Sequence, residues 1–177
     1  MKTVLVTLLF AASALAQASQ GVVRAEAACG PLDVRFDTQT SAGQPLAQPE
    51  PGKALVYVAE EFRKAPGELG DPTIRVGLDG AWKGATRANT YLFFSVDPGA
   101  HHLCTNWQSR LKRLSRLAAF ARFTAQPGKT YYFRARITYA AYGARATNMN
   151  LDLDRVNPDE GKFLVASSRL STSHAKK

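Results

Sequence analysis

Gln126-Pro127-Gly128-Lys129-Thr130-Tyr131-Tyr132-Phe133-Arg134-Ala135-Arg136-Ile137-Thr138-Tyr139 changes character after its fourth residue. The Pro-Gly pair marks a turn, because proline presets φ and glycine accepts a positive one. Beyond it Tyr131, Phe133, Ala135, Ile137 and Tyr139 take every second position, with Tyr132, Arg134, Arg136 and Thr138 between them. Only an extended strand places residues two apart on one face, so this segment is a strand with one face in a core.

The same grammar extends in both directions. Upstream, Thr73 to Leu78 alternates through Ile74, Val76 and Leu78, and Asp79-Gly80 is a favoured two-residue hairpin turn into Ala81 to Ala85. Ala54 to Ala59 and Tyr91 to Val96 are apolar on both faces and read as buried strands, the second followed by the turn Asp97-Pro98-Gly99 and a strand Ala100 to Thr105. Downstream, Asn148 to Val156 alternates more weakly through Leu151 and Leu153, and Asn157 to Gly161 has the composition of a capped helical turn. Short strands between turns predict an all-β fold, a single antiparallel β-sandwich, immunoglobulin-like or transthyretin-like, of about seven or eight strands.

Residues 53–166 are assigned to that sandwich. Residues 17–52 read as an extended arm, because 43–52 carries three prolines, and residues 167–177 as a polar tail expected to fray. With 177 residues, one domain is expected; 45% hydrophobic content is enough to build a core and excludes wholesale disorder.

Residues 1–16 read as a signal peptide. Lys2 gives the positive start, Val4 to Ala12 the apolar run, and Ala14-Leu15-Ala16 the small residues before a cut that leaves Gln17 first. The run falls short of the roughly 20 apolar residues of a membrane span, and no later segment reaches that length. The expected location is therefore periplasmic or secreted. Cys29 follows Ala27-Ala28 as a lipidated cysteine would, but Glu26 stands where a lipoprotein signal has an aliphatic residue.

The formal charge of +9 favours anionic surroundings. It is equally the charge of a protein kept soluble by its surface. Cys29 and Cys104 are the two cysteines, an even count that in an oxidising compartment predicts a disulfide. The bond would close a loop of about 76 residues, for which chain entropy gives at most roughly 4–5 kcal/mol.

Pro51 to Val58, Arg75 to Gly80, Ser95 to Cys104 and Ala125 to Arg134, taken in that order and spacing, resemble an exported bacterial family known as domain of unknown function 2846. The resemblance spans about residues 50–165. It implies a small β-domain outside the cytoplasm and supplies no catalytic residues; many relatives look like lipoproteins, and this chain lacks their lipidation signal.

No catalytic constellation is visible. His101 and His102 are adjacent and on a strand would point to opposite faces, one towards Cys104 or the core and one to solvent, so they make a poor metal pair. Asp152, Asp154, Asn157, Asp159 and Glu160 do not follow a calcium-loop pattern. There is no Gly-x-Ser-x-Gly elbow and no phosphate-binding glycine loop. Neither a metal nor a cofactor is expected, and no nucleic-acid partner.

Two surface features remain. Trp107 to Phe123 holds the densest positive charge, with Arg110, Lys112, Arg113 and Arg116 set among Leu111, Leu114 and Leu117. It reads either as a solvated connection into a strand at 118–125 or as a short basic amphipathic helix binding anions. Trp82 and Tyr132 are the aromatics expected to stand exposed and stack on a glycan. The leading expectation is a non-catalytic exported binding or structural module of the cell envelope, its partner an anionic envelope component or a glycan. The alternative is an envelope hydrolase using carboxylates among Asp152, Asp154, Asp159 and Glu160.

Overall fold

The computed structural model describes residues 29–43, 46–63, 70–142 and 145–176, backbone only at 141, 142 and 145–147. The signal peptide expected over residues 1–16 lies outside them. In chain order the elements are β1 (Phe36–Ser41), β2 (Ala54–Glu61), β3 (Thr73–Leu78), β4 (Ala81–Arg87), β5 (Thr90–Val96), β6 (Gly99–Trp107), α1 (Lys112–Ser115), β7 (Ala118–Ala125), β8 (Thr130–Tyr142), β9 (Arg145–Val156), α2 (Pro158–Ala166) and β10 (Arg169–Ala175).

They form a six-stranded sheet, β1-β10-β5-β2-β8-β9, and a four-stranded sheet, β4-β3-β6-β7. The Asp79-Gly80 turn joins β3 to β4 with positive φ at both residues, the backbone that a tight hairpin turn demands. Between the sheets, one cluster draws Val56, Val58, Leu92, Phe133 and Ile137 from the larger sheet and Ile74, Val76, Leu103, Trp107 and Phe123 from the smaller. Tyr131, Phe133, Ala135 and Ile137 are all buried there, as the period of two requires.

The far face of the larger sheet carries a second cluster, Leu55, Tyr57, Tyr91, Tyr132, Val156, Val165 and Leu170. Helix α2 lies over it, which is why β2 is apolar on both faces. Asn157 starts that helix by accepting hydrogen bonds from the Asp159 and Glu160 amides, at 3.1 and 3.0 Å. Its Gly161 sits so close to Tyr132 that an added methyl would fall 2.2 Å from the ring.

Several expectations need correction. The larger sheet is mixed, because β2 pairs with β8 and β10 with β5 in parallel. Among the described residues the strands number ten, and β1 lies inside the segment assigned to the extended arm. The polar tail expected to fray contains β10, which pairs with β1 along six rungs. Small hydroxyl residues suit β10 to a narrow space: the Ser171 hydroxyl donates to the Ala85 carbonyl (2.8 Å) and the Ser173 hydroxyl accepts from the Ala85 amide (2.9 Å). Finally, Tyr132 is buried under α2, stacked 5.3 Å from Tyr57, and offers no face to a sugar.

The segment before β1 crosses the outer face of the smaller sheet and is fastened at three points. Cys29 and Cys104 stand at disulfide distance, Cα–Cα 5.0 Å. The buried Arg75 guanidinium donates to the carbonyls of Leu32 and Val34 and to the Asn106 side chain. Trp82 donates its indole N–H to the Pro31 carbonyl at 2.8 Å while Arg75 lies 4.5 Å over its ring. The half-buried Trp82 ring is thus engaged by the arm and by Arg75, and serves as a clamp in place of the free stacking platform expected.

Candidate functional site

At the pole where β3 begins and β4 and β6 end, a groove of about 550 Å³ opens to the surface. The start of β1 forms one wall and the β6–β7 connection another. Gln108 joins them: its carboxamide accepts from the Phe36 amide (2.6 Å) and donates to the Phe36 carbonyl (2.8 Å), while its own amide bonds the Thr73 carbonyl (2.8 Å). One glutamine thereby fixes where β1 meets the sheet end, and with it the position of Arg35.

Arg35, Arg87, Arg110 and Lys176 line the groove, with Asp37 and Asp71 the acids. Lys176 is matched to Asp37 at 2.7 Å and Arg87 to Asp71 at 4.0 Å. Among the described residues, no carboxylate lies within ion-pair distance of Arg35 or Arg110. The groove wall therefore holds two neutralised pairs and two guanidiniums in excess, a balance that attracts an anion.

Of the four cations read as an anion site, the structure brings Arg110 into this groove. Lys112 and Arg113 stand exposed on α1, and Arg116 at its end. Of the two readings of Trp107 to Phe123, the connection into a strand is the one observed, with β7 at Ala118–Ala125, and helix is confined to the single turn Lys112–Ser115. Leu114 is buried, whereas Leu111 is 57% exposed. The loop is nonetheless held: the Trp107 amide bonds the Leu117 carbonyl, and the Asn106 side-chain amide bonds the carbonyls of Ser115 and Leu117, each at 3.0 Å.

Arg35, Arg87 and Lys176 are not marked by any local motif. The broader signal, a stretch between Asp97 and Asp152 with nine Lys and Arg residues and no Asp or Glu, covers Arg110 and none of these three. Such segregation concentrates positive charge on the elements built from it.

The carboxylates considered for hydrolysis are taken up elsewhere. Arg134 holds Glu160 at 2.7 Å and Asp154 at 3.7 Å, and Arg136 reaches Asp154 at 3.6 Å. Asp152 accepts from the Thr138 hydroxyl at 3.1 Å. Asp159 lies in the first turn of α2. A glycosidase needs two carboxyl groups facing one reacting bond, whereas Asp152, Asp154 and Glu160 bond to their own scaffold.

His101 is half-buried against Phe123 and His102 is exposed, on opposite sides of β6 as alternation requires. His101 pairs with Asp79 through Nδ1 (2.6 Å), which resembles half of a catalytic triad, but its Nε2 bonds the Asp97 carbonyl (2.7 Å). A ring nitrogen committed to a carbonyl cannot take a proton from a nucleophile. Both nitrogens face acceptors, an arrangement that favours the imidazolium. Burial disfavours that charge, yet the Asp79 and Asp97 contacts outweigh it and raise the His101 pKa. Among the described residues, no three His, Cys, Asp or Glu side chains converge as metal ligands, and no helix is long and apolar enough to cross a membrane.

No family model, no curated protein and no solved structure matches this chain.

Proposed function

We propose that this protein is a non-catalytic, exported β-sandwich module of the cell envelope that binds an anionic group in the groove lined by Arg35, Arg87, Arg110 and Lys176. The observation that carries it is the pair Arg35 and Arg110, from sequence-distant segments, facing one groove without carboxylate partners among the described residues. Export, with periplasmic or secreted location, is supported by the residues of the leader and by the resemblance to domain of unknown function 2846. The reading of the scaffold as an immunoglobulin-like or transthyretin-like sandwich is supported by two sheets enclosing one core. A glycan without charge is the weaker partner, since Tyr132 is buried and Trp82 engaged.

Titration with inorganic polyphosphate tests the reading. Binding should weaken as salt rises, because these exposed charges are screened within a Debye length. The double variant Arg35→Gln, Arg110→Gln should bind at least tenfold more weakly, since it removes two charge-assisted contacts. Parent protein that ignores polyphosphate at low salt, or a double variant that binds as the parent does, overturns the proposal.

A further inference from the structure

We infer that the anion is presented by a lipid surface, and that Leu111 enters the boundary of an anionic leaflet while the adjoining groove receives a phosphate-bearing headgroup. The inference rests on the anion-binding reading above and names its partner.

An exposed leucine by itself means little, because much of any protein surface is apolar. The setting of Leu111 is what distinguishes it. It stands 57% exposed beside Arg110, Lys112 and Arg113, with Arg116 one turn on, and none of the four has an ion-pair partner among the described residues. A soluble polyanion would use the cations and have no use for the leucine. A leaflet of anionic lipid uses both, meeting the charges with phosphates and the side chain with acyl chains.

The loop is also presented in a fixed form. The Leu114 and Ser115 amides bond the Leu111 carbonyl, at 2.9 and 3.0 Å, and Leu114 is anchored in the core. With the three bonds from Trp107 and Asn106, these hold the turn in place before any contact, so insertion does not have to order a mobile segment. Leu111 and Arg110 moreover both line the groove. One lipid molecule could therefore meet the groove with its headgroup and Leu111 with its upper chain, a continuity a free phosphate cannot exploit.

The test uses protein recovered after export, vesicles of phosphatidylcholine with or without phosphatidylglycerol, and inorganic polyphosphate in parallel. The parent should co-sediment with the phosphatidylglycerol vesicles only. Leu111→Ser should weaken that binding about tenfold, the scale of one leucine returned to water, and leave polyphosphate binding unchanged. Leu111→Trp should show a blue shift of its fluorescence on anionic vesicles and none on neutral ones. Parent that binds polyphosphate but not vesicles, or Leu111→Ser that binds vesicles as well as the parent, sinks the lipid inference and leaves the groove reading intact. Failure to bind either ligand sinks both. Leu111 is exposed, so these variants should fold, and an unchanged melting temperature confirms it.

Discussion

Gly77 of β3 lies so close to Cys29 that a methyl group on it would sit 2.0 Å from the Cys29 carbonyl oxygen. The arm is laid on the sheet at a distance that only glycine allows, and the Cys29–Cys104 pair closes over that contact. Gly77→Ala should therefore lift the arm. Limited proteolysis should cut the variant between Cys29 and Phe36 faster than the parent, and an unchanged digestion pattern would refute the contact.

Cys104→Ser removes the cross-link while Arg75 and Trp82 still hold the same segment. A loop of this length predicts a loss of about 2–5 kcal/mol. Thermal unfolding should show a lower Tm for the variant, and the parent in reductant should approach the same value. Free thiols at both cysteines in native protein would remove the basis of this expectation.

Glu60 is 2% exposed, points into the core, and neither of its oxygens has a hydrogen-bond partner in good geometry. Burial pushes its pKa up to about 8, against smaller lowering effects of Thr86 and the Ala88 amide. The unfolded chain releases this proton near pH 4.5 and the folded one near 8, so the folded state loses stability as pH rises between them. Glu60→Gln should flatten that slope and raise stability at neutral pH by on the order of 2–3 kcal/mol. Denaturant titrations across pH measure it; a parent with no such decline would contradict the assignment.

The Asp79–His101 pair adds a weaker dependence. The raised His101 pKa gives stability that is full below its ordinary value of 6.5 and fades as pH climbs through the folded one. For Asp79, burial opposes ionisation, but His101 and the His102 amide outweigh it and lower the pKa; its share is present above 3.8 and fades as pH falls. Asp79→Asn should cost on the order of 1 kcal/mol near pH 5–6, discounted for the exposure of the aspartate, and less at pH 9. Equal losses at both pH values would show that the pair contributes no charge interaction.

Gly161→Ala would drive a methyl into the Tyr132 ring, and overpacking of this kind costs about 1–3 kcal/mol. The loss should appear as early melting of α2, read by hydrogen exchange at Val165. Protection equal to the parent's would mean the helix can shift at no cost.

Strands β2, β3, β5, β8 and β9 were legible because each alternates or runs apolar, the two patterns that burial writes into a sequence, and β4, β6 and β7 because a turn or connection leads into them. β1 and β10 carry few apolar residues: Phe36 is followed by Asp37-Thr38-Gln39-Thr40-Ser41, and Leu170 by Ser171-Thr172-Ser173-His174. They are held by each other's backbone, and β10 also by hydroxyl bonds to Ala85, which hydropathy does not register. The outer face of β8 misled for the opposite reason. Tyr132 alternates with core residues and so seemed solvent-facing, but α2 turns that face into a second core. Arg110 was legible in its charge run, whereas Arg35, Arg87 and Lys176 reach the groove through tertiary structure alone.

The antiparallel pairing of β1 with β10 joins the two ends of the described chain. Rungs between such distant positions form late, since loop-closure entropy must be overcome before they contribute, and topologies rich in them fold slowly. The larger sheet cannot gain its β1–β10 side until β10 has been made. If the chain is exported as proposed, this delay is an advantage: the strands stay unlocked, and the chain threadable, until β10 is available to pair with β1.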